Sequence, residues 1–199
     1  MQLRYNYRLD PQPRHRAALG KAFGCVRVVF NAALAARHQA HQAGQPYLID
    51  AELSARLTAA KATSERAWLN EVSAVVLQQA LADLNTAYRN YFGSLTGTRK
   101  GPKAGPPRFR SRKDTRQAIR FTANARFKVL ASGKLRLPRI GDVPVRWSRA
   151  GLRGAVPGGR AGRGVGPGQR FWRARRDRGR DRRGDGRVRA QTEPGRPDN

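Results

Sequence analysis

The stretch WLNEVSAVVLQQALADLNTAYRNYF, residues 68–92, carries the clearest periodic signal in the chain. Its large apolar and aromatic residues recur at alternating spacings of four and three, at Leu77, Leu81, Leu84, Tyr88 and Tyr91. Because 3.6 residues make one helical turn, this spacing predicts an α-helix with one apolar stripe. The opposite side carries amides and an arginine, including Gln78 and Arg89. Such groups hydrogen-bond phosphates and base edges, so Gln78 and Arg89 are candidate nucleic-acid contacts.

The composition points to a polyanionic partner. The chain of 199 residues has 41 Lys and Arg against 13 Asp and Glu, a net charge of +28. Such an excess repels itself and is typical of proteins that bind nucleic acid rather than a membrane or a small molecule. The one cysteine, Cys25, excludes an intramolecular disulfide and a Cys-cluster zinc site, and fits a reducing compartment. The first residues show no apolar run typical of a signal peptide, so we expect a cytoplasmic location.

A strand and two helices are predicted before residue 68. Residues 2–9, QLRYNYRL, alternate apolar or aromatic residues with polar ones, which predicts a strand whose polar face carries Arg4 and Arg8. Asp10 is the expected N-cap of a helix over about 14–42. Asp50 is the expected cap of a shorter helix that runs to about Lys61.

The composition changes at Gly93. Residues 97–113, GTRKGPKAGPPRFRSRK, hold seven cations and no acidic residue. Glycine and proline at this density preclude a helix, so the segment is predicted to be an extended basic connector. Its candidate nucleic-acid contacts are Arg108, Arg110, Arg112 and Lys113, with Phe109 as a stacking ring between guanidinium groups.

Short strands are predicted after the connector, over residues 118–122, 126–130, 134–137 and 143–147, with turns at Ser132-Gly133 and Gly141-Asp142. These runs alternate basic and apolar residues. Together with the first strand they are predicted to form a small, partly closed barrel into which the helices are inserted.

The last 49 residues, from Gly151, have a different composition, since 34 of them are Arg, Gly, Ala or Pro. Such a segment buries little apolar surface, which predicts disorder. One interpretation is an RNA-binding Arg/Gly-rich tail. The other is a GC-rich gene read out of frame, because these four residues have codons with only G or C in their first two positions. The change from Lys-plus-Arg upstream to Arg alone favours the frame error.

Five segments, in this order, carry a resemblance to a known family: LRYNYRL, FGCVRVVFNAAL (23–34), the helix 68–92, PPRFRSRKDTRQAIRF (106–121) and LRLPRIGDVPVRW (135–147). Together they resemble the N-terminal part of the TnpB/OrfB family of insertion-sequence proteins, over about residues 1–149. The resemblance implies an RNA-guided DNA endonuclease in which a wedge-type β-barrel is interrupted by a helical recognition domain. Guide RNA and DNA are the implied partners.

The family's nuclease half, a RuvC-like domain that holds Mg²⁺ on three carboxylates and usually carries a zinc insert, has no counterpart in the pattern of this sequence. Hard Mg²⁺ prefers oxygen ligands fixed on a rigid sheet. The carboxylates after residue 150 stand among Arg and Gly with no apolar strand to seat them, and His15, His38 and His41 lack the spacing of a metal site. We therefore assign no catalytic residue, no metal ligand and no cofactor to this chain.

The predicted organisation is an α+β fold: a first barrel strand (1–11), a helical, helix-turn-helix-like domain (12–92), the connector (93–116), the remaining barrel strands (117–149) and a disordered Arg/Gly-rich tail (150–199). The predicted function is the nucleic-acid-binding part of a TnpB/OrfB-like transposase. The alternatives are a free-standing helix-turn-helix DNA-binding protein over residues 14–92, or the non-functional product of a frame-shifted transposase gene. Pairing of the first strand with the late strands distinguishes the barrel from the free-standing helical domain.

Overall fold

The computed structural model describes residues 5–114, 117–122, 125–147, 171–177 and 187–193. One strand, β1 (Tyr5–Leu9), precedes all the helices: α1 (Pro13–Gln42), α2 (Asp50–Ala62), a 3-10 helix (Ser64–Glu71) and α3 (Ala74–Leu95). The strands that follow are β2 (Ala118–Thr122), β3 (Lys128–Val129), β4 (Leu135–Leu137), β5 (Gly141–Val143), β6 (Val145–Arg146), β7 (Phe171–Asp177) and β8 (Arg187–Glu193). The predicted α+β class, with the helices inserted after the first strand, is confirmed.

The helix starts differ from the sequence predictions. The predicted helix over 68–92 is wrong in its first turn: Val72 is extended (φ −105°, ψ 153°), and α3 begins only after Ser73. Ser73 is the N-cap of this new helix: its backbone carbonyl accepts a hydrogen bond from the Val76 N–H at 3.0 Å, while its side chain makes no capping hydrogen bond. Asp50 is the first helical residue of α2 rather than its cap, which is Ile49. The Asp10 carboxylate pairs with Arg146 at 3.3 Å instead of capping α1.

The described residues of Gly24–Asp114 form one compact unit, with its core on the helices. The predicted stripe of α3 is buried at Leu77, Leu81 and Leu84, whereas Tyr88 and Tyr91 are only half-buried. By length and composition α1 could cross a membrane, but half of its apolar 18-residue window is buried inside the structure. Burial of this extent is typical of a core helix.

Arg37 of α1 ties the helices together although it is charged and only 4% exposed. Its guanidinium donates hydrogen bonds to the Leu48 carbonyl (3.1 Å) and the Asn85 side-chain oxygen (2.7 Å). It also lies over the rings of Tyr47 (4.4 Å) and Tyr88 (5.0 Å). Because a buried cation costs free energy unless it is paired, these contacts make Arg37 a structural residue rather than a ligand-binding one.

The described residues of Met1–Phe23 and Thr115–Asn199 form a second compact unit, built from two antiparallel sheets. The larger sheet has the order β2-β7-β8-β1-β6, and the smaller one β3-β4-β5. β1 pairs with β6, Arg8 opposite Arg146 and Leu9 opposite Val145. The predicted pairing of the first strand with the late strands is therefore confirmed, which contradicts the free-standing helical alternative. The described strands form no closed barrel.

Two further predictions differ from the structure. Gly141 and Asp142 lie in β5 rather than in a turn, and the turn occupies residues 138–140. Phe171–Asp177 and Arg187–Glu193 form β7 and β8 inside the larger sheet, so disorder is wrong for these two stretches of the tail. Neighbouring strands satisfy their backbone hydrogen bonds, which does not require an apolar sequence. The rest of the predicted tail lies outside the described residues.

His15 of α1 is buried, and its Nδ1 accepts a hydrogen bond from the Gln12 N–H at 3.3 Å. Burial, assisted by the nearby Arg14 cation, holds the pKa of His15 below its usual value. Gly141 packs closely against it, since a Cβ there would lie 3.7 Å from the imidazole and its φ is +103°. His15 is thus a packing residue of this unit.

The burial on α3 gives a stability prediction. Leu84→Ala removes a side chain with no exposed surface and should lower the free energy of unfolding by about 2–5 kcal/mol, because it leaves a cavity. Leu95→Ala on the same helix removes a side chain that is 66% exposed and should change it by less than about 0.5 kcal/mol. Urea unfolding followed by circular dichroism measures both values. Equal destabilisation of the two variants would contradict the assigned core.

Candidate nucleic-acid interface

An arginine row crosses the larger sheet, formed by Arg175, Arg189, Arg8 and Arg146 at facing positions on β7, β8, β1 and β6. Residues directly opposite each other in an antiparallel pair share one face of the sheet. Like charges at such positions destabilise the pairing. The arrangement is therefore one that a bound polyanion would stabilise. Among these residues, Arg8 and Arg146 have described side chains, and both are exposed.

The two faces of this sheet differ in polarity. The face opposite the arginine row includes Leu9, Ile119 and Phe121, all buried. Their alternation with Arg8 and Arg120 comes directly from the period-2 pattern of the strands. Arg120 adds to the cationic face, where it stands opposite Arg173. The sheet is accordingly built with one core face and one basic face.

The second candidate surface is the connector, which within Thr96–Asp114 contains neither helix nor strand, as predicted. Its predicted start at Gly93 is wrong, because α3 continues to Leu95. The Asn31 side chain of α1 bonds the connector through both its amide nitrogen and its amide oxygen. The Asn31 Nδ2 donates to the Arg110 carbonyl (3.0 Å), and the Arg110 N–H donates to Asn31 Oδ1 (2.8 Å). This pair of hydrogen bonds, the Asn31 clamp, fixes an extended backbone as a neighbouring strand would. Farther back, the Ala104 N–H donates to the Ser94 hydroxyl at 3.1 Å.

The Arg110 side chain is engaged inside the unit rather than free for a ligand. Its guanidinium lies 3.8 Å from the centre of the Phe30 ring and pairs with the Asp83 carboxylate at 3.6 Å. Burial lowers the pKa of Arg110, an effect that Asp83 opposes. Arg110 and Asp83 therefore anchor the connector, with Asn31 holding the adjacent backbone.

The cations on either side of that anchor face solvent. Arg108, Arg112 and Lys113 are all exposed. Phe109 is 56% exposed, and its ring meets the His38 ring edge-on, with 5.7 Å between centroids. The connector thus presents three cations and one aromatic ring on a fixed backbone.

The remaining predicted contacts are spread out. On α3, Arg89 is exposed, and Gln78 is exposed but bonded to the Ser54 hydroxyl of α2 at 2.9 Å. Arg4 lies outside the described residues. Arg108, Arg112 and Lys113, which are close in sequence, are all exposed on the connector, and the sheet separately places Arg8 opposite Arg146.

Sequence reasoning missed Asn31 and Asp83, the two residues that position the connector. An asparagine inside a long helix and an aspartate on the polar side of α3 look like ordinary surface residues, and no local spacing distinguishes them. The helices also line a partly open, mostly apolar cavity of about 400 Å³, formed by α1, α2, the 3-10 helix and α3, with Arg56 and Arg66 among its residues. Within the described part of the chain, no group of three or more His, Cys, Asp or Glu side chains is arranged to hold a metal ion.

Comparison with known proteins identifies a domain match and two relatives of this chain. Residues 1–46 match the helix-turn-helix domain of OrfB proteins (HTH_OrfB_IS605). The chain is 38% identical over 154 residues to a Streptomyces pristinaespiralis protein named "Putative RNA-guided DNA endonuclease". It is 30% identical over 145 residues to "Putative RNA-guided DNA endonuclease InsQ" of Escherichia coli K12. The matched part of the chain is therefore similar to proteins of the TnpB/OrfB family.

These matches cover 77% and 73% of this chain but only 36% and 34% of the two relatives. The chain therefore spans about a third of the length of the relatives it matches. The residues of the helix-turn-helix match that the structure describes form β1 and one uninterrupted helix through Gln42, which includes Gly24. The turn and the further helices come after the matched helix, from residue 43 onward.

The Asn31 clamp gives a prediction that needs no ligand. Asn31→Ala removes both hydrogen bonds to Arg110, so the connector should detach more often and trypsin should cut at Arg108 and Arg112 several-fold faster. Gln39→Ala, an exposed change on the same helix, should leave the rate unchanged. Limited proteolysis with mass spectrometry measures both. Unchanged cleavage in Asn31→Ala would show that the clamp does not hold the connector.

Proposed function

We propose that this chain is the nucleic-acid-binding N-terminal portion of a transposon-encoded TnpB/OrfB-like protein, and that it binds guide RNA and DNA in the cytoplasm. The family relationship supports the transposon context, and the two relatives' names supply the RNA-guided activity. We further propose that the two sheets correspond to the family's wedge-type barrel and the helices to its recognition domain.

The arginine row is the observation that carries the proposal. Arg8 has an arginine opposite it on both neighbouring strands, Arg146 on β6 and Arg189 on β8. Asp10 pairs with Arg146 at 3.3 Å, but in a protein of net charge +28 the acidic residues are far fewer than the cations that they would have to offset. A phosphate backbone offsets them, and it releases condensed counterions on binding.

The chemistry of the surface favours backbone and shape recognition over base reading. Guanidinium and ammonium groups position phosphates, whereas base identity requires directed contacts in a groove. Structured RNA and an RNA–DNA duplex are recognised largely through their backbones. The exposed connector cations and the arginine row are groups of this kind. Sequence specificity would then come from the guide.

Alanine substitution of the exposed connector cations tests the proposal. The variant Arg108→Ala/Arg112→Ala/Lys113→Ala should bind a structured RNA or RNA–DNA duplex more weakly. Its log K versus log[salt] slope should fall by about one unit for each phosphate that is no longer neutralised. Fluorescence anisotropy at several salt concentrations measures both.

The matched control removes the same charge elsewhere, in Arg14→Ala/Arg56→Ala/Arg66→Ala, all exposed positions. This control should change the log K versus log[salt] slope less than the connector variant does, because it lowers the net charge by the same amount without removing a proposed phosphate contact. If the connector variant keeps wild-type affinity and slope, the connector does not bind nucleic acid.

We also propose that this chain does not cut DNA by itself. A two-metal nuclease needs carboxylates fixed a few ångströms apart on a rigid sheet. Of the five acidic residues after position 150, Asp177 and Glu193 end β7 and β8, and the larger sheet pairs them with Arg187 and Phe171 rather than with each other. Asp181, Asp185 and Asp198 lie outside the described residues.

Incubation of the purified chain with guide RNA, target DNA and Mg²⁺ should therefore give binding without cleavage. Metal-dependent cleavage that is abolished by changing one of the chain's own carboxylates would overturn this. The frame-shift alternative has its own test in the nucleotide sequence after codon 150, read in all three frames. Another frame that encodes apolar strands, an early Asp and CxxC pairs would identify a damaged nuclease gene.

A further inference from the structure

Phe109 combines a large exposed ring with a fixed backbone. The ring is 56% exposed, yet the next residue's N–H and carbonyl are both held by the Asn31 clamp. The Arg110 side chain, packed on Phe30 and paired with Asp83, anchors the same peptide. Phe109 therefore cannot fold into the core without breaking these interactions.

The neighbours of the ring are those expected for an anionic, aromatic ligand. Arg108, exposed, directly precedes it, and Arg112 and Lys113 follow within four residues. His38 approaches it edge-on, which fixes the ring's orientation while more than half of its surface stays accessible. A single exposed apolar residue needs no special explanation, but one fixed in place among cations matches how proteins stack bases on aromatic rings.

We propose that Phe109 stacks an unpaired base of single-stranded nucleic acid while Arg108 contacts a neighbouring phosphate. This inference rests on the proposed function and deepens it, since it assigns the connector a single-stranded ligand. A continuous duplex hides its base faces in the stack, so only an unpaired nucleotide offers the face that Phe109 can cover. The Asn31 clamp is the positioning element, because it orders the connector before the ligand binds and so lowers the entropy cost of binding.

Single-stranded DNA with one 2-aminopurine is the probe, since stacking quenches this base. The full chain should quench it on binding. Phe109→Ala should abolish the quenching and bind roughly fivefold to a hundredfold more weakly at every salt concentration, with an unchanged salt slope. Phe109→Trp should restore both properties. Arg108→Ala should lower the salt slope by about 0.7, as expected when one phosphate of a single strand is no longer neutralised. It should still quench the probe at saturation.

Asn31→Ala, which leaves every cation and the ring in the sequence, should weaken both binding and quenching, with Gln39→Ala as control. Another aromatic surface that could stack the base is formed by Tyr47, Tyr88 and Phe92, in which Phe92 is 46% exposed. Quenching that disappears in Phe92→Ala but persists in Phe109→Ala would overturn the proposal. So would unchanged affinity in Phe109→Ala.

Failure of this inference is distinguishable from failure of the proposed function. If Phe109→Ala behaves as wild type while the triple connector variant binds more weakly with a smaller slope, the connector binds phosphates but stacks no base. If the triple variant also behaves as wild type, the connector assignment itself is wrong. A quenched probe with equal affinity for single-stranded and duplex DNA would contradict the single-stranded ligand.

Discussion

Antiparallel pairing of β1 with β6 is the interaction on which the rest of the fold depends. It pairs Arg8 with Arg146, and beside this pair the Arg146 guanidinium donates to the Asp10 carboxylate, 136 residues away in sequence. The Asp10 N–H continues the ladder to the Pro144 carbonyl at 2.9 Å. Because this closure is non-local, its entropy cost must be offset by contacts that form late. Because β1 precedes the helices and β6 follows them, this pairing makes the three α-helices and the 3-10 helix an insertion between two strands of one sheet. It also places Arg8 between two strands that each carry an arginine at the opposite position.

The connector shows a different use of tertiary contacts, in which a segment without regular structure is held by side chains. Asn31 substitutes for a neighbouring strand, and the Phe30–Arg110–Asp83 contacts supply the burial that the segment's own composition lacks. One arginine of the connector is thereby used for anchoring, and the side chains of Arg108, Arg112 and Lys113 beside it are exposed. A basic, Gly- and Pro-rich sequence can thus present a defined surface without forming a helix or a strand.

Much of the helical unit was predictable because it follows local rules. The spacing of Leu77, Leu81 and Leu84 predicted the buried stripe of α3, and the period-2 pattern of Ile119 and Phe121 predicted the core face of β2. The prediction failed at Ser73, where a new helix begins inside the predicted one, and where the pairing partners lay far away in sequence, as for β7 and β8. Arg110 shows the same limit at the candidate site. Nothing in RFRSRK distinguishes the arginine that turns inward, since that depends on Asp83 and Phe30 from two distant helices.

By itself, the sequence determined the charge, the amphipathic α3, the extended basic connector and the family resemblance, because each is a property of composition or of short-range periodicity. Only the tertiary structure decided which strands pair, which arginines stand opposite one another, and which connector side chains face solvent. The physical reason is that strand register and burial depend on partners far away in the chain. A one-residue slip in register would move Arg8 to the apolar face, and no local pattern could reveal it.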